Sequence, residues 1–154
     1  MEINDARTLA RTLMDQHGLH QWTLRFGPAK RSFGSCRPRR QEITLSAPLV
    51  RLNPYEQVRD TILHEIAHAL VWPDERGHGA AWRAQALALG CAPRRCAPAS
   101  VRQPPARFVG TCPRCRLTIR GHRRRRVSCG RCDTRFNPAY LLVWTKDPIN
   151  GPLA

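Results

Sequence analysis

The chain has 154 residues, 42% of them hydrophobic, which is enough for one modest domain with a real core and a small appendage. No apolar run approaches the ~18 residues of a membrane span. The N-terminus carries Glu2, Asp5 and Asp15 and lacks the basic-then-apolar pattern of a signal peptide, so the expectation is a cytoplasmic protein. Thiols stay reduced there, and the seven cysteines read as metal ligands and spare thiols rather than disulfides. Net charge is +15 and lopsided: thirteen of the 26 basic residues, but one of the 11 acids (Asp133), lie between Arg94 and Arg135. Such a field points to a polyanionic partner, nucleic acid being the commonest, against the plainer reading of a solvated face. With Lys30 and Lys146 the only lysines, the arginine excess alone is no evidence of bidentate phosphate recognition.

In chain order, residues 4–16 place Ala6, Leu9, Ala10, Leu13 and Met14 at the spacing of an amphipathic helix, with Asn4 or Asp5 as cap and Gly18 as stop. Trp22, Leu24 and Phe26 alternate with polar residues as in a half-buried strand, which Gly27-Pro28 ends. Lys30, Arg31, Arg37, Arg39 and Arg40 then form a positive patch on a loop or short strand, before Ile43 and Leu45 alternate in a second strand.

Asn53-Pro54-Tyr55-Glu56 is the clearest helix start: Asn as N-cap, Pro at the first turn and Glu placed to close a capping box. That helix is predicted to run to about Val71 and to stop before Pro73, with Val58, Ile62, Ile66 and Ala69 or Leu70 as its apolar stripe. A further helix is predicted over 79–89, ending at Gly90. Pro93, Pro98, Pro104 and Pro105 make 91–106 a semi-rigid linker between a first domain, 1–90, and a cysteine-rich module, 107–145, with a tail at 146–154.

His64-Glu65-Ile66-Ala67-His68 lies inside the capped helix. Positions four apart share a helix face, so both imidazoles can meet one zinc at ~2.0–2.1 Å. Glu65, one residue along, sits beside such a metal and can take a proton from the bound water and pass it to the leaving amine. A catalytic zinc needs a third protein ligand and an open fourth position. His78, flanked by Gly77 and Gly79, is the candidate, and Asp74 and Glu75 compete with it. The nine residues between His68 and His78 exceed the metzincin spacing.

Cys112-Pro-Arg-Cys115 and Cys129-Gly-Arg-Cys132 are two knuckles at the spacing of a four-cysteine zinc ribbon. Four thiolates leave no open position, so that zinc is expected to be structural. The module is too small to bury much core, and metal binding would hold it together. Arg114, Arg116, Arg120, Arg123, Arg124, Arg125, Arg126 and Arg131 surround the knuckles and are the expected contacts to DNA phosphates, sequence-tolerant for want of a base-reading motif. Phe108, Phe136, Tyr140 and Trp144 either form the module's core or stack on unpaired bases.

Trp22-Thr-Leu-Arg-Phe26, Gly34-Ser35-Cys36, Ile43-Thr-Leu-Ser46, the His64–His68 motif and Gly77-His-Gly-Ala-Ala-Trp82 together resemble the SprT-like (Spartan) metallopeptidases over nearly the whole chain, including a C-terminal zinc ribbon. The resemblance implies an α+β zincin-like domain, its HExxH helix packed on a small sheet, with a three-histidine zinc site followed by the ribbon. It implies two zinc ions per chain, proteolysis stimulated by DNA, DNA-bound or crosslinked proteins as substrates, and work at the nucleoid. The long partner-recruiting tails of eukaryotic relatives are expected to be missing, so that recruitment differs or is absent. Trp82 is expected to pack beneath the His78 loop, and Trp22 and Trp72 against the active-site helix.

Cys36 reads as a small packing residue, and Cys91 and Cys96 as spare thiols, with a metal or redox pair as the alternative. His17, His20 and His122 carry no assigned chemistry. Two rival functions stand: a DNA-binding zinc protein without proteolysis, and a general peptidase indifferent to DNA.

Overall fold

The computed structural model describes residues 1–94 and 100–147, in two compact units, Met1–Pro104 and Pro105–Ala154. Cys96 and the end of the tail lie outside the described residues. Among the described residues, no helix is long and apolar enough to cross a membrane.

In the first unit, α1 (Ile3–Gln16) buries Ala6, Ala10, Leu13 and Met14 on one face. Its cap is Glu2 rather than Asn4 or Asp5, and no side chain closes it. Gly18 takes φ +75, a left-handed turn that glycine adopts without a Cβ penalty.

Three short strands follow: β1 (Thr23–Gly27), β2 (Gly34–Arg37) and β3 (Glu42–Ser46). The basic stretch thus resolves into a strand and a 3₁₀ turn, Pro38–Arg40. Sheet order is β1-β3-β2, with β3 central, parallel to β1 and antiparallel to β2. Ile43 and Leu45 of β3 are fully buried, and β2 is left as an edge strand.

A short helix that the periodicity did not reveal, α2 (Ala47–Leu52), comes next. Ser46 caps it, its hydroxyl accepting from the Leu49 N–H at 3.1 Å. Helix α3 (Tyr55–Leu70) then starts from Pro54, not from an Asn53 capping box. The Asn53 side chain is buried and spent elsewhere: Nδ2 donates to the Leu49 carbonyl at 2.8 Å, and Oδ1 accepts from the Arg102 N–H at 2.8 Å. A buried amide goes where its donors and acceptors are all satisfied, which here is between segments. Val58, Ile62, Ile66 and Ala69 form the buried stripe of α3, while Leu70 is 37% exposed. Each full burial of such an aliphatic side chain contributes about 1.5–3 kcal/mol.

Helix α4 (Ala80–Ala88) packs on α3 and buries Trp82 and Ala86. The unit continues past residue 90. Cys91 is 4% exposed, the Ala92 N–H donates to Asp60 at 2.8 Å, and Val101 packs against the core.

The second unit is a three-stranded antiparallel sheet, order β5-β4-β6, from β4 (Phe108–Thr111), β5 (Thr118–Gly121) and β6 (Val143–Lys146). Its core is small: Cys112, Cys129 and Leu142, with Tyr140 and Trp144 packed against them. Gly110 leaves room for Trp144, since a Cβ there would lie 3.0 Å from the indole. Apolar burial this slight cannot hold a sheet together by itself.

Candidate active site

Helix α3 carries His64 and His68 one turn apart, pointing away from its apolar stripe. Past its end the chain turns at Gly77, where φ is +113, and returns His78 before α4 begins. His78 Nε2 lies 3.1 Å from His64 Nε2 and 3.1 Å from His68 Nε2. A tetrahedral zinc with bonds of ~2.05 Å would set its ligand nitrogens ~3.3 Å apart, so the spacing fits that ion. A neutral imidazole has a single N–H, so three mutually facing Nε2 atoms cannot satisfy one another by hydrogen bonding. A shared cation satisfies all three. Asp74 and Glu75, the competing third ligands, are not in this group.

Trp82 forms the floor. It is fully buried, with its ring 4.7, 5.3 and 4.4 Å from those of His64, His68 and His78. Glu75 holds the loop that presents His78. Its Oε2 accepts from the Ala81 N–H at 2.8 Å and the Trp82 N–H at 3.4 Å, capping the start of α4 from outside the helix. A Cβ on Gly79 would run into the same carboxylate, so the residue next to His78 must be glycine for Glu75 to sit there. Sequence reasoning weighed Glu75 only as a ligand. The signal for its actual position was an acid five residues ahead of a helix N-terminus that lacks a side-chain cap.

Glu65 is only 6% exposed, pressed between α3 and β2. Burial pushes its carboxyl up to about 8, against the pull of a hydrogen bond from the Cys36 backbone N–H. Burial pulls His64 and His68 down to about 4, with the neighbouring imidazoles adding to the shift. The Cys36 thiol, half-buried on β2, is pushed up to about 12 by burial and then by Glu65, so it is inert. Cys91 is likewise pushed up, to about 11, by burial and then Asp60.

Two hollows share Ser32, Gly34, His64 and Glu65. One, of about 560 Å³, is also lined by Glu56, Asp60 and Arg94; the other, of about 490 Å³, by Cys36, Trp72 and His78. The histidine cluster therefore sits midway along a cleft walled by β2 and α3.

In the second unit the four cysteines converge. The sulfurs of Cys112 and Cys132 are 3.8 Å apart, and those of Cys115 and Cys129 3.5 Å. Zn–S bonds of ~2.3 Å require sulfurs ~3.8 Å apart in a tetrahedron, so this set also fits zinc. The Cys112 thiol is held down at about 6, first by the Cys115 backbone N–H and then by that of Arg114, which favours the thiolate a metal needs. Cys132 is pushed up to about 12 by burial and the adjoining sulfurs, since four thiolates repel one another without a cation between them.

All eight arginines predicted to meet phosphate are exposed. Two have partners: Arg114 donates to the Tyr140 hydroxyl at 2.7 Å, and Arg120 pairs with buried Asp147 at 2.9 Å. Arg126 lies 5.6 Å from the ring of Phe136, which is 57% exposed, and Arg124 lies 5.2 Å from that of Phe108.

An HExxH helix, a third histidine returned by a glycine loop and a buried neighbouring carboxylate define a zinc metallopeptidase of α+β fold. The chain belongs to the SprT-like family, which it matches over residues 6–103. Among solved structures it is similar to the metallopeptidase zymogen abylysin of Pyrococcus abyssi, at 22% identity and a TM-score of 0.44, over 53% of this chain and 75% of that one. It is also similar to the zymogen jannalysin of Methanocaldococcus jannaschii, at 16% identity and a TM-score of 0.45, over 52% of this chain and 76% of that one. No curated protein matches it.

Proposed function

We propose that the chain is a DNA-dependent zinc peptidase that cleaves proteins bound or crosslinked to DNA, working in the cytoplasm at the nucleoid. The observation that carries the reading is the convergence of His64, His68 and His78 beside the buried carboxylate of Glu65. The three imidazoles would hold the catalytic metal, and Cys112, Cys115, Cys129 and Cys132 a structural zinc, two ions per chain. Zinc, when bound, supplies a Lewis acid that polarises a carbonyl and makes water acidic near pH ~7. Glu65 accepts the proton of the attacking water and returns it to the leaving amine. The unpaired edge of β2 along the cleft offers an extended peptide a strand to pair with. The exposed arginines of the four-cysteine unit support DNA as the polyanion that concentrates substrate near the peptidase.

The test is to incubate the zinc-loaded chain with a DNA-binding protein, with and without DNA, using Glu65→Gln as control. Cleavage that needs both DNA and Glu65 is expected. Equal cleavage without DNA would make the chain a general peptidase, and DNA binding with no cleavage would make its histidine zinc structural.

A further inference from the structure

The first unit carries a basic surface of its own. The 3₁₀ turn Pro38–Arg40 follows β2 and presents Arg39 and Arg40 to solvent, and Arg76 reaches the same place from the loop after α3. Between them lies Trp72, which is part-exposed. The Arg39 guanidinium is 5.9 Å and that of Arg76 5.1 Å from its ring centroid. With Arg37 and Pro38 these residues line an open hollow of about 550 Å³ that contains no acid. Arg37 is spoken for, 3.1 Å from Glu42. Arg39, Arg40 and Arg76 make no ion pair among the described residues. Two unneutralised guanidinium groups over one indole, with Arg40 lining the same hollow, make a surface complementary to an anionic ligand.

We propose that this hollow binds a single-stranded segment of nucleic acid, one base stacked on Trp72 and the flanking phosphates on Arg39, Arg40 and Arg76. The arginines alone would accept any polyanion. The aromatic ring in their midst favours one with flat bases, because base stacking outweighs the exposed cation–π contacts it replaces. Trp72 and Arg76 also line the histidine cleft, so a strand seated here abuts the wall of the active site. The polymer's identity as DNA rests on the function proposed above; the site itself does not.

The test is fluorescence anisotropy of a labelled oligothymidylate with the full-length, zinc-loaded chain at several salt concentrations. Trp72→Ala is expected to weaken binding roughly tenfold, and Trp72→Phe to retain most of it. Arg39→Ala/Arg76→Ala is expected to reduce the slope of log affinity against log salt by roughly 1.4, about 0.7 per lost phosphate. These side chains lie at the surface, and zinc content and thermal unfolding of each variant check that it folds. Wild-type binding by both Trp72→Ala and the double variant overturns the proposal. If Arg123→Ala/Arg124→Ala/Arg125→Ala/Arg126→Ala alone weakens binding, this site falls while the proposed function stands. If the wild-type chain binds neither oligothymidylate nor duplex, both fall. If polyglutamate binds more tightly than oligothymidylate and needs the same residues, the occupant is an acidic protein and the proposal is wrong.

Discussion

Gly34 and Glu65 are in direct register across the cleft: a Cβ on the glycine would lie 2.6 Å from Glu65 Oε1 and 2.8 Å from its Cγ. The edge strand can press on the carboxylate only because this position has no side chain. Gly34→Ala should displace Glu65 by a substantial fraction of an ångström and lower peptidase activity roughly a hundredfold. Both metals should stay bound, since no ligand moves. Steady-state cleavage together with metal content measures this, and normal turnover by the variant would contradict it.

Glu65→Gln keeps the shape and removes the base. Activity should fall by about 10²–10⁴-fold with zinc retained.

The same substitution exposes a linkage in the metal-free chain. Folding raises the Glu65 pKa from 4.5 to about 8, so the folded state holds the extra proton and stability falls as pH climbs through that window. His64 and His68 move the other way, from 6.5 down to about 4, so their protonation destabilises the fold as pH drops from 6.5 towards 4. Glu65→Gln should therefore unfold at a higher temperature than the wild type at pH 8, by up to ~4 kcal/mol of stability, with the gap closing near pH 5. Melting curves of the chelated proteins from pH 4 to 9 test it; a constant gap at every pH would refute the assignment.

Glu75 acts on the metal through the loop it anchors. Glu75→Ala frees the start of α4 and the segment holding His78, and should weaken zinc binding at the histidine site about ten- to a hundredfold, leaving the cysteine site unchanged. Glu75→Gln keeps an acceptor oxygen and should recover much of the loss. Chelator competition, which releases the two zincs in separate phases, distinguishes these outcomes.

Cys129→Ser should remove one zinc per chain and unfold the four-cysteine unit, because metal binding on the order of 10 kcal/mol is what organises it. Amide dispersion of residues 105–147 should collapse while that of the first unit persists. Retained dispersion in the small unit would show that its apolar core suffices.

Local signals were readable where they act alone. The HExxH spacing on a periodic helix, the glycines around His78 and the paired cysteine knuckles each announce their geometry within a few residues. Signals that depend on a distant partner were not. Asn53 looks like an N-cap in sequence, yet Arg102, far along the chain, claims its side chain. The strand at Gly34–Arg37 is short and polar, and it exists because β3 offers an edge and Glu65 a counterpart. Helix α2 is six residues long, below the length at which periodicity speaks, although Ser46 before Ala47-Pro48 was a usable cue. The arginines around Trp72 come from two separate segments, the turn after β2 and the loop after α3, and no local pattern joins them.

The two candidate metal sites are built from different elements: one offers nitrogen alone, the other sulfur alone. Peroxide oxidises thiolates and leaves imidazoles untouched. An oxidative burst would therefore dismantle the small sulfur-bound unit first, leaving the histidine centre still assembled.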